Sequence, residues 1–250
     1  MDCKQLAAYF DHTLLKPTAT RSDIEALCAE AENYGFASVC VNLCNVSFAR
    51  KMLKHEIRVC SVIDFPFGSA GASSKMHQVQ EAGENGASEV DVVINIGKLL
   101  DGDKAACVAE LKPLCEFAHR NSMTVKVIVE TCYLDEAHIR DACEIVEASG
   151  ADFIKTSTGY GTRGAIYDDI ILFKKYLKRN TQIKASGGIQ TLEQARKFLS
   201  LGCTRLGTSR TVGIINEAYS AGVIAEPQPD LKRGSLKVIG LRRKYGRISH

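Results

Sequence analysis

No Cys-x-x-Cys pair occurs in the chain, although it holds ten cysteines; the nearest two are Cys40 and Cys44. A zinc ribbon and a thioredoxin-type redox motif are therefore excluded. At 250 residues and 45% hydrophobic content, a disulfide framework is not needed to hold a core together. Reduced thiols and a cytosolic, cytoplasmic location are expected. Long apolar runs are also missing, so nothing reads as a membrane span. The start, MDCKQLAAYFDHTLL, carries an acid at position 2 and no sustained apolar run, which argues against a signal peptide. Histidines stand at positions 12, 55, 77, 119, 138 and 250, and no two have a ligand spacing beside a carboxylate cluster. No metal and no organic cofactor is called for. His12 is expected to pack in the barrel. The formal charge is only +3, and residues 219–250 hold seven Lys/Arg against two Asp/Glu, leaving −2 for the rest. A mildly acidic body with a basic tail does not suit a dedicated nucleic-acid binder. Neither nucleic acid nor membrane is an expected partner.

What the chain does have is alternation. Eight short apolar runs recur, at Thr13–Leu15, Ser38–Val41, Arg58–Ile63, Glu89–Ile94, Val125–Val129, Asp152–Ile154, Gln182–Ala185 and Thr204–Leu206. Several are dense in Val and Ile, as buried parallel strands are. Amphipathic helical patterns lie between them. Ser22 with Glu25 and Thr191 with Gln194 read as capping boxes, and Asp135 as an N-cap. Gly35, Gly86, Gly150 and Gly202 each sit between a helical pattern and a strand, where a left-handed residue ends a helix. Eight such units in this length predict a single (β/α)8 TIM barrel of the α/β class. An open doubly wound sheet is the rival, weakened by the lack of a G-x-G-x-x-G after the first strand. No linker divides residues 1–220, which are expected to form the barrel with a short N-terminal helix. Residues 221–250 read as a basic C-terminal extension.

The active site of such a barrel lies at the carboxyl ends of its strands. Charges inside apolar runs stand out there, because burying an unpaired charge is costly. Lys155 ends Asp-Phe-Ile-Lys, Lys184 sits in Gln-Ile-Lys-Ala-Ser-Gly-Gly, and Asp91 sits in Glu-Val-Asp-Val-Val. Strand alternation lets all three point inward. Lysine needs its neutral amine to act as a nucleophile, and a second ammonium together with desolvation lowers its affinity for the proton. Lys184 beside Lys155 supplies that setting, and Asp91 a proton relay. Taken singly, each is as well read as an interior ion pair. Lys126, Glu130 and Asp11 are assigned mainly to structure, and Cys40 to packing. Glycines after the last two strands add a phosphate cradle: Ser186-Gly187-Gly188 and Gly207-Thr208-Ser209-Arg210. Thr156-Ser157-Thr158-Gly159 after the sixth strand adds donors. The residues alone thus point to amine-based chemistry on a phosphorylated compound.

The segment Asp152-Phe-Ile-Lys-Thr-Ser-Thr-Gly-Tyr-Gly resembles the Schiff-base segment of the deoxyribose-phosphate aldolase family. Asp11-His-Thr-Leu-Leu-Lys-Pro resembles that family's first strand. Glu89-Val-Asp-Val-Val-Ile-Asn-Ile-Gly, Lys126-Val-Ile-Val-Glu-Thr and Ile183-Lys-Ala-Ser-Gly-Gly-Ile resemble the fourth, fifth and seventh, and Gly207-Thr-Ser the phosphate loop. The resemblance spans about residues 6–218. It implies a metal-free class I aldolase that cleaves 2-deoxy-D-ribose 5-phosphate reversibly to D-glyceraldehyde 3-phosphate and acetaldehyde. Lys155 matches the attacking lysine, Lys184 the lysine that tunes it, and Asp91 the proton-relay carboxylate. Gly187, Gly188, Gly207 and Ser209 match phosphate-loop positions; Thr13 and Thr158 match polar pocket positions, with Gly159 beside them. The chain departs from the family at Leu43, Gln78, Tyr160, Arg210 and Thr211. Arg210 has two equal readings, a substitute phosphate ligand or a side chain that crowds the loop. Tyr245, in the basic tail, is a candidate to fold back over the site. Two rivals stand beside the aldolase reading: a phosphosugar isomerase or epimerase on the same barrel, and a non-catalytic phosphosugar-binding protein. A homo-oligomer formed through exposed helix faces is compatible with all three.

Overall fold

The computed structural model describes residues 1–222. The tail, with Tyr245, lies outside the described residues. The first half runs α1 (Cys3–Ala7), β1 (Phe10–Leu14), α2 (Arg21–Tyr34), β2 (Ser38–Val41), α3 (Val46–Met52), β3 (Arg58–Ile63), α4 (Ala72–Glu84), β4 (Glu89–Val93) and α5 (Ile96–Leu100). The second runs α6 (Lys104–Arg120), β5 (Thr124–Ile128), α7 (Glu136–Ser149), β6 (Phe153–Lys155), α8 (Tyr167–Tyr176), β7 (Gln182–Ser186), α9 (Leu192–Ser200), β8 (Arg205–Thr208) and α10 (Thr211–Ser220). The eight strands pair in sequence order, all parallel, and β8 closes on β1. The chain is a (β/α)8 TIM barrel, and the open-sheet alternative falls with the β1–β8 ladder.

Strand alternation divides the barrel into two chemically different faces. Outward residues such as Val39, Val59, Val90, Val92, Val125, Val127, Ile154, Ile183 and Leu206 pack with the helices in one continuous apolar layer. This layer supplies the hydrophobic driving force. The interior is mostly polar. Asp11, Glu89, Asp91, Lys126, Lys155, Lys184 and Arg205 all point into it and are buried. A small apolar patch of Leu15, Cys40, Cys60 and Val62, with Phe65 against it, fills one side. Barrel interiors are ordinarily packed with branched aliphatic residues, so this ionic core has to be satisfied internally.

Local signals explain most element ends. Asp135 and Thr191 cap α7 and α9 as expected, and Thr191 forms a reciprocal box with Gln194. At α2 the cap is Thr20, which exchanges bonds with Asp23; the Ser22–Glu25 box does not form. Both motifs are written in the sequence. The earlier one starts the helix, placing Ser22 inside it and out of capping position. Gly35, Gly86, Gly150 and Gly202 all have positive φ, as helix-ending glycines do. β1 begins three residues earlier than its apolar run, at Phe10, because the buried Asp11 interrupts the apolar pattern. His12 points outward, between Glu30 of α2 (2.7 Å) and Thr211 of α10 (2.5 Å). Among the described residues no helix is long and apolar enough to cross a membrane.

Candidate active site

Parallel pairing brings β4, β5, β6, β7 and β8 side by side, and their inward charges meet. Lys155 follows Phe153, two residues on along β6, and lies in register with Lys184 of β7. Asp91 of β4 lies in register with Lys126 of β5. The three lysines converge on the Asp91 carboxylate. Its Oδ2 accepts from Lys155 Nζ at 2.8 Å and Lys184 Nζ at 2.6 Å. Its Oδ1 accepts from Lys126 Nζ at 2.8 Å and the Cys60 thiol at 3.1 Å. One level lower, Arg205 bridges Asp11 Oδ1 (2.5 Å) and Glu89 (3.0 and 3.1 Å), and Lys126 reaches Glu89 at 2.6 Å. Lys184 also bonds Asp11, whose other oxygen accepts from Ser38 at 2.6 Å.

Charge and burial compete here. Burial alone would raise the Asp91 carboxyl, but the ammonium groups of Lys126, Lys155 and Lys184 outweigh it and hold it well below the usual carboxylate range. Asp11 behaves likewise: against burial, Lys184, Arg205 and Lys126 lower it. Burial would drive the proton off Lys184, yet Asp11 and Asp91 hold it above the ordinary lysine range. Lys126 is also raised, by Asp91, Cys60 and Glu89 against burial. Lys184 is therefore a fixed cation, anchored on two carboxylates rather than free to exchange its proton. Three buried carboxylates, Asp11, Glu89 and Asp91, face four buried cations, Lys126, Lys155, Lys184 and Arg205.

A cavity of about 290 Å³ opens above this cluster at the carboxyl ends of the strands. Lys155 is the member of the cluster that lines it. Thr13, Thr158, Gly159, Gly187, Gly188, Gly207 and Ser209 line it too. The structure thus gathers eight of the expected residues around one space, with Lys184 and Asp91 directly beneath. Arg210 is not among the lining residues; its guanidinium lies over Gly213 of its own helix. Thr158 is fixed by Glu130, which takes its backbone N–H at 3.2 Å and its hydroxyl proton. Glu130 adopts φ 55°, a strained value for a non-glycine residue, and this aims its carboxylate at Thr158. The Tyr160 hydroxyl donates to Leu15 O at 2.9 Å and its ring meets Phe65 edge-on, tying the loops after β1, β3 and β6 together.

Glycine is required where these loops touch. A Cβ on Gly164 would lie 2.2 Å from Gly187 O. A Cβ on Gly207 would meet Ser186 Cβ at 3.0 Å and Lys184 Cε at 3.1 Å, so its absence lets the Lys184 chain pass.

Comparison with known proteins settles the family. The family model for DeoC/LacD family aldolases matches residues 5–210. The chain belongs to the DeoC/LacD aldolase family. A Treponema denticola protein named deoxyribose-phosphate aldolase is 54% identical over 212 residues, covering 84% of this chain and 98% of that one. One of the same name from Thermococcus gammatolerans is 45% identical, covering 86% and 97%. The tetrameric deoxyribose phosphate aldolase structure from Aeropyrum pernix aligns with a TM-score of 0.79 at 31% identity, covering 88% of this chain and 92% of that one.

Within this aldolase framework the residues that sequence reasoning passed over are Lys16 and Arg205. Lys16 lines the cavity beside Gly188 and Ser209, is exposed, and makes no ion pair among the described residues. It stands on a loop, where a lysine raises no question. Arg205 is a charge inside the eighth apolar run, and the reasoning that found Lys184 applied to it equally.

Proposed function

We propose that the protein cleaves 2-deoxy-D-ribose 5-phosphate reversibly to D-glyceraldehyde 3-phosphate and acetaldehyde, through a Schiff base on Lys155. One observation carries this reading: Lys155, at the cavity floor, shares a single oxygen of Asp91 with the permanently charged Lys184. The neutral Lys155 amine adds to the C1 carbonyl, and loss of water from the carbinolamine leaves an iminium. The iminium draws electrons from the C2–C3 bond as the C3 hydroxyl gives up its proton. Glyceraldehyde 3-phosphate departs and an enamine stays on Lys155. Protonation of that enamine carbon and hydrolysis release acetaldehyde. Asp91, in contact with Lys155 Nζ at 2.8 Å, accepts and returns protons there. Lys184 keeps a positive charge beside the reacting nitrogen, on the same oxygen of Asp91.

The backbone N–H groups of the loops bearing Gly187, Gly188, Gly207 and Ser209 receive the phosphate, with Lys16 as its cation. Thr13 and Thr158 contact the sugar hydroxyls. Phosphate binding there is mainly positioning, which holds the carbonyl over Lys155. The tetramer of the Aeropyrum pernix protein supports a homo-oligomer, and cysteines that form no disulfide among the described residues suit a cytoplasmic location.

Borohydride reduction during turnover tests the reading. A stable two-carbon adduct should appear on the peptide carrying Lys155 and vanish in Lys155→Met, with retro-aldol activity unaffected by a chelator. Isomerisation or epimerisation without any trapped adduct would instead favour the non-covalent alternative.

A further inference from the structure

We propose that Cys40 and Cys60 are a peroxide-sensitive thiol pair whose disulfide turns off the Asp91 centre. The two residues are direct register partners on β2 and β3, and both point into the barrel. Adjacent strands lie about 4.8 Å apart, inside the roughly 4.4–6.8 Å Cα range a disulfide spans. Both sulfurs and an Asp91 carboxylate oxygen lie within 4.8 Å of one another. Cys60 touches the catalytic cluster directly, donating to Asp91 Oδ1 at 3.1 Å and accepting from Lys126 Nζ at 3.4 Å.

The same three groups have the composition of a soft-metal site. Electrostatics decides against a metal. Lys126, Lys155 and Lys184 already occupy Asp91, and three ammonium groups repel a further cation. The same groups favour a thiolate. The two thiols also differ. The bond with Cys60 is the main influence that lowers Cys40, helped by Lys184 and Lys155 against burial. Burial raises Cys60 well above the ordinary thiol range. Cys60 has its proton engaged on Asp91 Oδ1, so Cys40 is assigned as the attacking sulfur and Cys60 as the resolving one.

Access runs through the substrate cavity. Leu15 lines that cavity and packs in one cluster with Cys40 and Cys60, so it joins the thiols to the wall of the open space. A water-sized peroxide passes where a rotamer of Leu15 opens. The Cys40 thiolate attacks hydrogen peroxide: an S–O bond forms, the O–O bond breaks, and hydroxide leaves as water after taking a proton. Cys60 then attacks the sulfenic sulfur; the S–S bond forms, the S–O bond breaks, and the Cys60 proton leaves with the hydroxyl as a second water. Two thiols are oxidised and one peroxide is reduced. Asp91 Oδ1 loses the Cys60 donor and Lys126 loses its sulfur contact, so the carboxylate that orients Lys155 shifts.

The effect on turnover rests on the proposed aldolase reaction; the disulfide itself does not. The full-length protein, reduced and then treated with hydrogen peroxide, is mapped under non-reducing conditions and assayed for retro-aldol turnover. A Cys40–Cys60 linked peptide is expected, with turnover down about tenfold or more, the scale of a misplaced catalytic group, and restored by dithiothreitol. Cys40→Ala and Cys40→Ser should show neither the linked peptide nor the reversible loss relative to their own untreated rates. The proposal fails if both thiols stay free at peroxide concentrations that oxidise the exposed Cys44, or if the linked protein keeps its activity. Untreated protein with no retro-aldol turnover would count against the aldolase reading alone, and the peptide map would still decide the disulfide.

Discussion

Asp91 accepts four bonds, two on each oxygen, from Lys126, Cys60, Lys155 and Lys184. A carboxylate so fully used is both structural and chemical, and one substitution should expose both roles. Asp91→Asn removes the charge that three buried ammonium groups share. It is expected to destabilise the fold by about 3–5 kcal/mol, the scale of a broken buried ion pair. It should also lower retro-aldol turnover by about 10²–10⁴-fold, as loss of a proton relay does. Denaturant midpoints and rates on the same preparation separate the two, and unchanged stability would mean the lysines do not depend on Asp91. Lys16 predicts a different pattern. A cation that holds phosphate equally in ground and transition states contributes binding alone. Lys16→Ala should raise KM about tenfold, or about 1.4 kcal/mol, with kcat nearly constant. A fall in kcat at constant KM would remove Lys16 from the phosphate site. This contrast also explains what sequence could reveal. Lys155, Lys184 and Asp91 were legible because a charge inside an apolar strand has to be explained. Lys16 was not, because a lysine on a loop is ordinary until the fold turns it toward a cavity. Arg210 follows a phosphate-loop motif, and its guanidinium lies over Gly213.

At the scale of elements, the strands carry the ionic cluster and the loops after β1, β6, β7 and β8 line the cavity above it. The loop after β6 passes so close to the loop after β7 that Gly164 and Gly187 are in backbone contact. A methyl group at Gly164 would sit 2.2 Å from Gly187 O, and backbone rather than a flexible side chain must yield. Gly164→Ala should therefore move the phosphate loop while leaving the ionic cluster intact. The expected result is a loss of about ten- to a hundredfold in kcat/KM for the phosphorylated substrate, with Lys155 still trapped by borohydride at saturating substrate. Loss of trapping as well would show that the loop supports Lys155 itself. Elements were read from their periodicity and their caps, and the reading failed where two signals overlapped. Thr20 with Asp23 won over Ser22 with Glu25 because both reciprocal bonds close at Thr20. Asp11, pointing inward, shortened the apparent first strand. That same inward charge belongs to the interior ionic cluster, where it bonds Lys184, Arg205 and Ser38.

Apart from the interior Cys40–Cys60 pair, the buried thiols lie in the apolar layer outside the barrel wall and the clustered charges lie inside it, and the two have opposite consequences for stability against pH. Asp11 and Asp91 have depressed proton affinity in the folded state, so the stability they contribute is present above the unfolded carboxylate pKa of about 4 and is lost as pH falls below it. His12 is also lowered, chiefly by burial, and adds a shallower loss that begins as pH drops below about 6.5. The thiols run the other way. Burial pushes Cys28 and Cys107 up to about 11, and Cys115, Cys143 and Cys203 up to about 12. A raised folded value means stability that is complete below the unfolded thiol pKa of about 8.5 and is lost as pH climbs through the interval above it. Lys126 and Lys184, also raised, add their losses only above about 10.4. The alkaline limb should therefore begin with the thiols, each adding about 1.4 kcal/mol per pH unit across its interval. Unfolding in reductant at pH 7, 8.5, 9.5 and 10.5 checks this. The unfolding free energy should already decline between 8.5 and 9.5, and Cys115→Ala should shallow that slope whatever its own cost at pH 7. A curve that stays flat to pH 10 and then falls would assign alkaline sensitivity to the interior lysines, and the buried thiols would be spectators.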